Sequence, residues 1–106
     1  MTRQITTESI KAFLNDQKFS KSNTTVSRQD GVTSLILFGN RIAYKKDGKL
    51  FVTMCGYNTA TTRERLNGIP CLSVTSKNFT PYINGVPVSS YKTYSIGDNG
   101  EVVEVL

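Results

Sequence analysis

Turn-forming dipeptides divide residues 24–54 into short segments of strand-like sequence. The dipeptides are Asp30-Gly31, Gly39-Asn40 and Asp47-Gly48. Gly, Asn and Asp accept the positive φ that a two-residue hairpin turn requires, and the segments between them are rich in the residue types that strands favour. The predicted strands are residues 24–28, 32–38, 41–45 and 50–54. This pattern predicts an antiparallel meander of hairpins.

The run Leu35-Ile36-Leu37-Phe38 is apolar at four successive positions. Successive side chains of a strand point to opposite faces, so a continuous apolar run indicates burial on both. We therefore expect residues 32–38 to form an interior strand that is covered on each side.

Further strand-like segments follow after residue 70. They are residues 72–75, 81–83 and 86–89 around Asn84-Gly85, and 91–96 and 101–106 around a turn at 97–100. Pro81 and Pro87 place their hairpin at a sheet edge, because proline donates no hydrogen bond to a ladder. An unpaired edge there allows a homodimer. The order of these later strands stays open.

The first predicted element is a helix that ends near Lys18. Thr6 suits its N-cap, and Ile10, Phe13 and Leu14 recur at helical spacing. Ile5 and Ile10 then occupy the two positions of a hydrophobic staple. Residues 20–23 are expected to be a polar connector.

A short second helix is predicted near residues 62–67. Thr61 and Glu64 have the spacing of a capping box, Gly68 suits the left-handed position after a helix, and Pro70 prevents continuation. The predicted fold class is therefore α+β: a mainly antiparallel sheet with the N-terminal helix packed on it. A chain of 106 residues fits a single domain spanning 1–106.

The positive charge is unevenly distributed. The formal net charge is +5, but residues 97–106 hold three acidic residues and no basic one, so residues 1–96 carry thirteen basic and five acidic side chains. A surplus of this size favours an anionic partner, either nucleic acid or an acidic protein surface. Charge alone does not choose between the two.

The residue types for catalysis are scarce. Histidine is absent, Cys55 and Cys71 cannot complete a four-ligand metal site, and no phosphate-binding glycine loop is present. We therefore expect no catalytic residues, no metal and no cofactor. Because no apolar run reaches the roughly 20 residues of a membrane span, we expect a cytoplasmic protein without membrane contact.

Basic residues surround the Asp47-Gly48 turn. A period of two would put Arg41 and Lys45 on one face of the hairpin, with Tyr44 on the neighbouring face for stacking. The candidate phosphate-binding residues are Arg41, Lys45, Lys46 and Lys49. The alternative is a solvated hairpin whose lysines protect the sheet edge.

The segment 56–68 is richer in hydrogen-bonding groups than a short helix needs. Free N–H groups at a helix start attract anions, and Arg63 and Arg65 extend from the first turns. The candidate partner-binding residues here are Tyr57, Asn58, Thr59, Arg63 and Arg65. The alternative is that these groups cap the helix and brace the loop against the sheet.

Three parts of the chain resemble small proteins of tailed bacteriophages and prophages. The matching stretches are Phe19-x-x-x-Asn23-Thr24-x-Val26, Leu37-Phe38-Gly39-Asn40-x-Ile42-Ala43 and Gly56-Tyr57-Asn58-Thr59-x-Thr61-Thr62-Arg63-Glu64-Arg65-Leu66-Asn67. The last stretch carries the signature G-[WY]-N-T-x-T-T-[RK]-E-R-L-N. The resemblance implies a phage-encoded protein in the cytoplasm of a bacterial host, and it carries no activity.

Two functions follow as hypotheses. The first is a stoichiometric inhibitor or modulator of a host protein, such as an effector of bacterial anti-phage defence. The second is direct binding of nucleic acid through the basic residues, with Tyr44 or Tyr57 for stacking. A minor virion or assembly component is a third, weaker hypothesis.

Overall fold

The computed structural model describes residues 3–105, and within them two helices and ten strands form. The elements are α1 (Gln4–Leu14), β1 (Phe19–Lys21), β2 (Thr24–Gln29), β3 (Val32–Leu37), β4 (Asn40–Lys46), β5 (Lys49–Thr53), α2 (Ala60–Asn67), β6 (Val74–Lys77), β7 (Thr80–Ile83), β8 (Val86–Pro87), β9 (Thr93–Ile96) and β10 (Val102–Glu104). The predicted α+β class, with an N-terminal helix and a short second helix, is confirmed. β1 was missed, because two of its three residues, Ser20 and Lys21, lie within the expected polar connector.

The strands form two antiparallel sheets. Seven strands make the main sheet in the order β1-β2-β3-β4-β5-β9-β10, and β6, β7 and β8 make a small sheet. The chain therefore leaves the main sheet after β5, builds α2 and the small sheet, and returns as β9 beside β5. Consecutive hairpins account for the meander from β1 to β5, and the turns predicted its part from β2 to β5.

One face of the main sheet packs on α1 and forms the core. Val26, Leu35, Ala43 and Val52 are neighbours across four successive strands, and all are buried together with Phe13 of α1. We call the opposite face the open sheet face, because most of its side chains are half-buried or exposed. Those on its central strands include Ile36, Arg41, Tyr44, Lys46, Lys49 and Phe51.

The start of α1 differs from the prediction. The helix begins at Gln4, and its N-cap, Arg3, makes no side-chain capping bond. Thr6 is buried inside the helix, where its hydroxyl donates to Glu64 Oε1 at 2.9 Å, so the predicted cap at Thr6 and the staple of Ile5 with Ile10 are wrong. A hydroxyl that is satisfied across an interface does not need a helix end. The helix also ends at Leu14, earlier than predicted.

The ends of α2 differ as well. Thr59 is the N-cap, and its hydroxyl accepts from the Thr62 backbone N–H at 3.2 Å, so the capping box of Thr61 with Glu64 is wrong. Gly68 is right-handed, with φ −70°, and not left-handed. A Cβ on Gly68 would lie 2.7 Å from the Ile10 Cγ1 atom, so this glycine allows α1 to approach α2 closely.

The turn between β3 and β4 is Phe38-Gly39, not Gly39-Asn40. Phe38 has φ +51° and is exposed, so its predicted place in a strand covered on both sides is wrong. Pro81 is also misplaced by the edge prediction, because it lies in β7, the middle strand of the small sheet. β8, which holds Pro87, is an edge strand as expected, and homodimerisation through it stays a prediction. Neither helix in residues 3–105 has the length and hydropathy that crossing a bilayer requires.

Candidate functional site

Arg65 lies at the centre of a buried polar network that joins α1, α2 and β2. Its side chain is 1% exposed, and it donates to Thr6 Oγ1 at 2.7 Å, to Thr24 Oγ1 at 3.1 Å and to the Glu64 carboxylate. Burial lowers the pKa of Arg65, while the charge of Glu64 opposes this change. A guanidinium enclosed in this way cannot contact a partner, so Arg65 is not a partner-binding residue.

Glu64 completes this network at its solvent side. Its carboxylate accepts from Arg3 Nε at 3.0 and 3.1 Å and from Thr6 Oγ1. The hydrogen bond from Arg3 is the main reason that the pKa of Glu64 lies below its usual value. Glu64 and Arg65 therefore tie the two helices together instead of meeting a ligand.

Arg63 and Asn58 brace the loop before α2. Arg63 Nη1 donates to Asn58 Oδ1 at 2.6 Å and to the Asn58 carbonyl at 3.1 Å. Asn58 Nδ2 in turn donates to Ser76 Oγ at 3.1 Å and to the Phe79 carbonyl at 3.4 Å, which attaches the loop to the small sheet. These two side chains and the Thr59 cap hold the loop in place. Tyr57 is the one aromatic candidate of this segment, and its side chain is exposed.

A β-bulge divides the predicted basic hairpin between two faces. Ala43 pairs with Leu35 while Arg41 pairs with Ile36, so Ile42 is an extra residue and the alternation of side chains shifts by one. Arg41 consequently lies with Tyr44 on the open sheet face. The prediction that Arg41 shares a face with Lys45 is wrong for this reason.

Lys45 is directed to α1 instead. Its Nζ lies 3.0 Å from Asp16 Oδ1 and donates to the Leu14 carbonyl at the end of the helix at 3.1 Å. Thr33 donates to the same carboxylate at 2.7 Å and, with Lys45, keeps the pKa of Asp16 below its usual value. Lys45 thus stabilises the end of α1, and its ammonium group is already bound by Asp16 and the Leu14 carbonyl.

The open sheet face carries a stacked cluster of Arg41, Tyr44 and Phe51. Tyr44 and Phe51 are cross-strand neighbours whose rings stack with centroids 4.8 Å apart at 14°, and the Arg41 guanidinium lies 4.1 Å from the Tyr44 centroid. One step further along the same hairpin, Lys46 and Lys49 face each other directly. The structure brings these predicted residues together and adds Phe51, which the sequence reading missed.

A pocket of about 440 Å³ lies between β4 and the loop before α2. Leu37, Ile42 and Met54 are buried side chains that supply its apolar floor. Phe38 and Tyr57 stand at its rim and are 68% and 56% exposed. Its other lining residues are polar, namely Asn40, Thr59, Thr61 and Thr62. The pocket therefore combines an apolar floor with hydroxyl and amide groups, and two aromatic rings border it.

Two more exposed aromatic residues lie beside the loop 56–58, whose Tyr57 lines this pocket. Phe79, 98% exposed, lies beside Asn58, and Tyr91, 83% exposed, packs so close to Gly56 that a Cβ there would lie 2.9 Å from its ring. We call Phe38, Tyr57, Phe79 and Tyr91 the aromatic surface. Of these, only Tyr57 was proposed from the sequence as a partner-binding residue. Phe38 and Phe79 carry a signal that it missed, namely a bulky residue beside a turn-forming Gly or Asn.

Phe38 and Phe79 both have left-handed backbones, with φ +51° and +67°. This region is unfavourable for bulky L-residues, which makes such positions candidates for function. Neither ring compensates for the strain by deep burial, since both are largely exposed.

Fold and site together define a small α+β protein with exposed aromatic residues on and beside one surface loop. Residues 2–101 match the model of the family described as Kyanoviridae Gp96 protein, and the chain belongs to this family of phage proteins. The expected phage origin is thereby confirmed, while the signature over residues 56–67 stays a prediction. No curated protein and no solved structure matches the chain. Within residues 3–105, no three His, Cys, Asp or Glu side chains are grouped so that they could hold a metal ion.

Proposed function

We propose that this phage protein acts without catalysis, by binding a host protein through the aromatic surface and so inhibiting or modulating it. The observation that carries the proposal is the grouping of Phe38, Tyr57, Phe79 and Tyr91 around one loop, each more than half exposed. Single exposed apolar residues are ordinary, but several exposed aromatic residues around one loop, beside a pocket with an apolar floor, are typical of an interaction site.

Aromatic residues dominate the energetics of many protein interfaces. A partner side chain that enters the 440 Å³ pocket would be desolvated by Leu37, Ile42 and Met54 and enclosed by the two rings at the rim. The loop that carries Tyr57 is already fixed by the bonds between Arg63 and Asn58, so little ordering entropy opposes binding. Both features support tight association.

Membership of a phage family supports a target inside the infected bacterium. Proteins of the host cytoplasm, including the effectors of anti-phage defence, are the proposed class. Association dominated by aromatic residues is expected to survive moderate salt, in contrast to binding through surface charges.

The test is affinity purification of the tagged protein from infected bacteria, with and without nuclease. We expect a host protein that stays bound after nuclease treatment and is lost from the Phe38→Ser/Tyr57→Ser double variant. Val103→Ser, which removes an exposed apolar residue on β10, is the matched control and should retain the partner.

With the purified partner, each aromatic substitution should weaken binding by about 30-fold, as for a central interface residue. The proposal fails if the double variant keeps the partner as well as the control does. It also fails if nuclease releases every bound protein.

A further inference from the structure

We infer that the open sheet face is a second site, which binds single-stranded nucleic acid. The stacked cluster of Arg41, Tyr44 and Phe51 would receive unpaired bases, while Lys46 and Lys49 would contact phosphates. This site lies outside the aromatic surface and does not depend on the function proposed above.

The two lysines indicate an anionic ligand. They are directly opposed on neighbouring strands, and like charges in this position repel each other. Among residues 3–105, neither of them nor Arg41 forms a salt bridge, whereas Lys45 of the same hairpin does. Two phosphates of one strand, one at Lys46 and one at Lys49, would offset the repulsion, which supplies the charge complementarity.

The stacked cluster indicates that the anion carries bases. Phe51, Tyr44 and Arg41 place two aromatic rings and a guanidinium in one contiguous group on a half-exposed surface. Aromatic rings and arginine planes are the groups on which proteins stack splayed bases. A duplex keeps its base faces covered, so the same cluster favours single strands.

A groove of about 500 Å³ continues from Arg41 across β3 and β2. Ser27, Gln29 and Ser34 line it with hydroxyl and amide groups that can bond to base edges. Asp30 also lines the groove and repels phosphate, but its carboxylate can accept from the amino groups of bases. The strand is therefore expected to have its phosphates at the lysine pair and its bases towards the groove.

The experiment compares a fluorescein-labelled oligothymidylate of twelve nucleotides with an abasic strand of equal length, by fluorescence anisotropy at low salt. We expect the abasic strand to bind at least fivefold more weakly, because stacking is lost while every phosphate is kept. Phe51→Leu, which preserves apolar packing, should weaken oligothymidylate binding by a similar factor. Arg41→Lys, which keeps the charge at an exposed position, is the second variant if Phe51→Leu does not fold.

Salt dependence tests the lysines separately. The Lys46→Gln/Lys49→Gln variant should reduce the slope of log affinity against log salt by about 1.4, the value for two phosphate contacts on a single strand. Lys77→Gln, a change at an exposed lysine of the small sheet, should leave the slope unchanged. The Phe38→Ser/Tyr57→Ser variant should bind the oligonucleotide normally, which separates this site from the aromatic surface.

Three results would overturn the inference. The first is equal affinity for the thymidylate and abasic strands, which would mean charge attraction alone. The second is normal binding by both Phe51→Leu and Arg41→Lys. The third is full competition by a polyglutamate peptide of equal charge, which would assign the face to an acidic protein partner.

Discussion

Replacing Phe79 by Gly should stabilise the fold while it removes a quarter of the aromatic surface. Phe79 follows Asn78 in the turn between β6 and β7, and both residues have left-handed φ values of +67° and +51°. Asn-Gly is the preferred pair for such a turn. The bond from Asn58 Nδ2 goes to the Phe79 backbone carbonyl and survives the change.

The change in the free energy of unfolding for Phe79→Gly is the sum of three contributions. A left-handed conformation costs an L-residue roughly 1–2 kcal/mol, and glycine removes that cost. Glycine also loses about 0.5–1 kcal/mol more conformational entropy on folding. The Phe79 ring is 98% exposed, so its removal forfeits almost no burial. The free energy of unfolding should therefore rise by about 0.5–1 kcal/mol, or about 4 °C in Tm for a domain of this size.

Urea unfolding followed by circular dichroism measures the change, and Tyr91→Gly is the matched control. Tyr91 is also an exposed aromatic residue, but its φ is not among the positive ones. Its replacement should lower the free energy of unfolding by about 0.5–1 kcal/mol, since glycine loses more conformational entropy on folding and here relieves no strain. If Phe79→Gly destabilises the protein as much as Tyr91→Gly, the reasoning from backbone strain is wrong. Weaker binding of the host protein by a more stable variant would show that the strained residue serves binding.

Three further predictions concern the interface between the helices. Gly68→Ala should lower the free energy of unfolding by about 1–3 kcal/mol, because the new methyl group would lie 2.7 Å from Ile10 Cγ1 and overpack the interface. Thermal unfolding measures this loss, and an unchanged Tm would refute the close contact. Arg65→Leu should lower the free energy of unfolding by about 3 kcal/mol, because the buried hydroxyls of Thr6 and Thr24 and the Glu64 carboxylate would lose a donor. Urea unfolding tests this value. Because Arg3 lowers the pKa of Glu64 from 4.5, the stability that this carboxylate contributes is complete above pH 4.5 and is lost as the pH falls through the lower folded pKa. Glu64→Gln should therefore flatten the decline of Tm below pH 4.5, and an identical decline would contradict the assignment.

The sequence predicted the elements well where turn chemistry and periodicity act locally. Asp30-Gly31 and Asp47-Gly48 end their strands as expected, and both predicted helices exist and overlap their predicted ranges, although their ends differ. The errors lie where tertiary contacts override a local signal. Thr6 has the residue type of an N-cap, yet it lies inside α1 and bonds to Glu64. Gly68 does end α2, but with a right-handed backbone, and its missing side chain makes room for α1.

The candidate site was less predictable than the fold. The sequence predicts a binding site from the hydrogen-bonding residues of segment 56–68, but Arg63 bonds to Asn58 and Arg65 belongs to the buried network. The bulge at Ile42 cannot be inferred from alternation alone, because two adjacent apolar residues also fit a strand covered on both faces. Without it, the cluster of Arg41 with Tyr44 could not be foreseen.

The return of the chain as β9 determines when the aromatic surface comes into existence during folding. Val52 and Tyr94 pair across about forty intervening residues, whereas the hairpins from β1 to β5 close over a few. Local hairpins are expected to form first and the long closure afterwards. Tyr91 meets Gly56 only after that closure. The complete aromatic surface is thus a late product of folding, which a partly folded or truncated chain would not present to its partner.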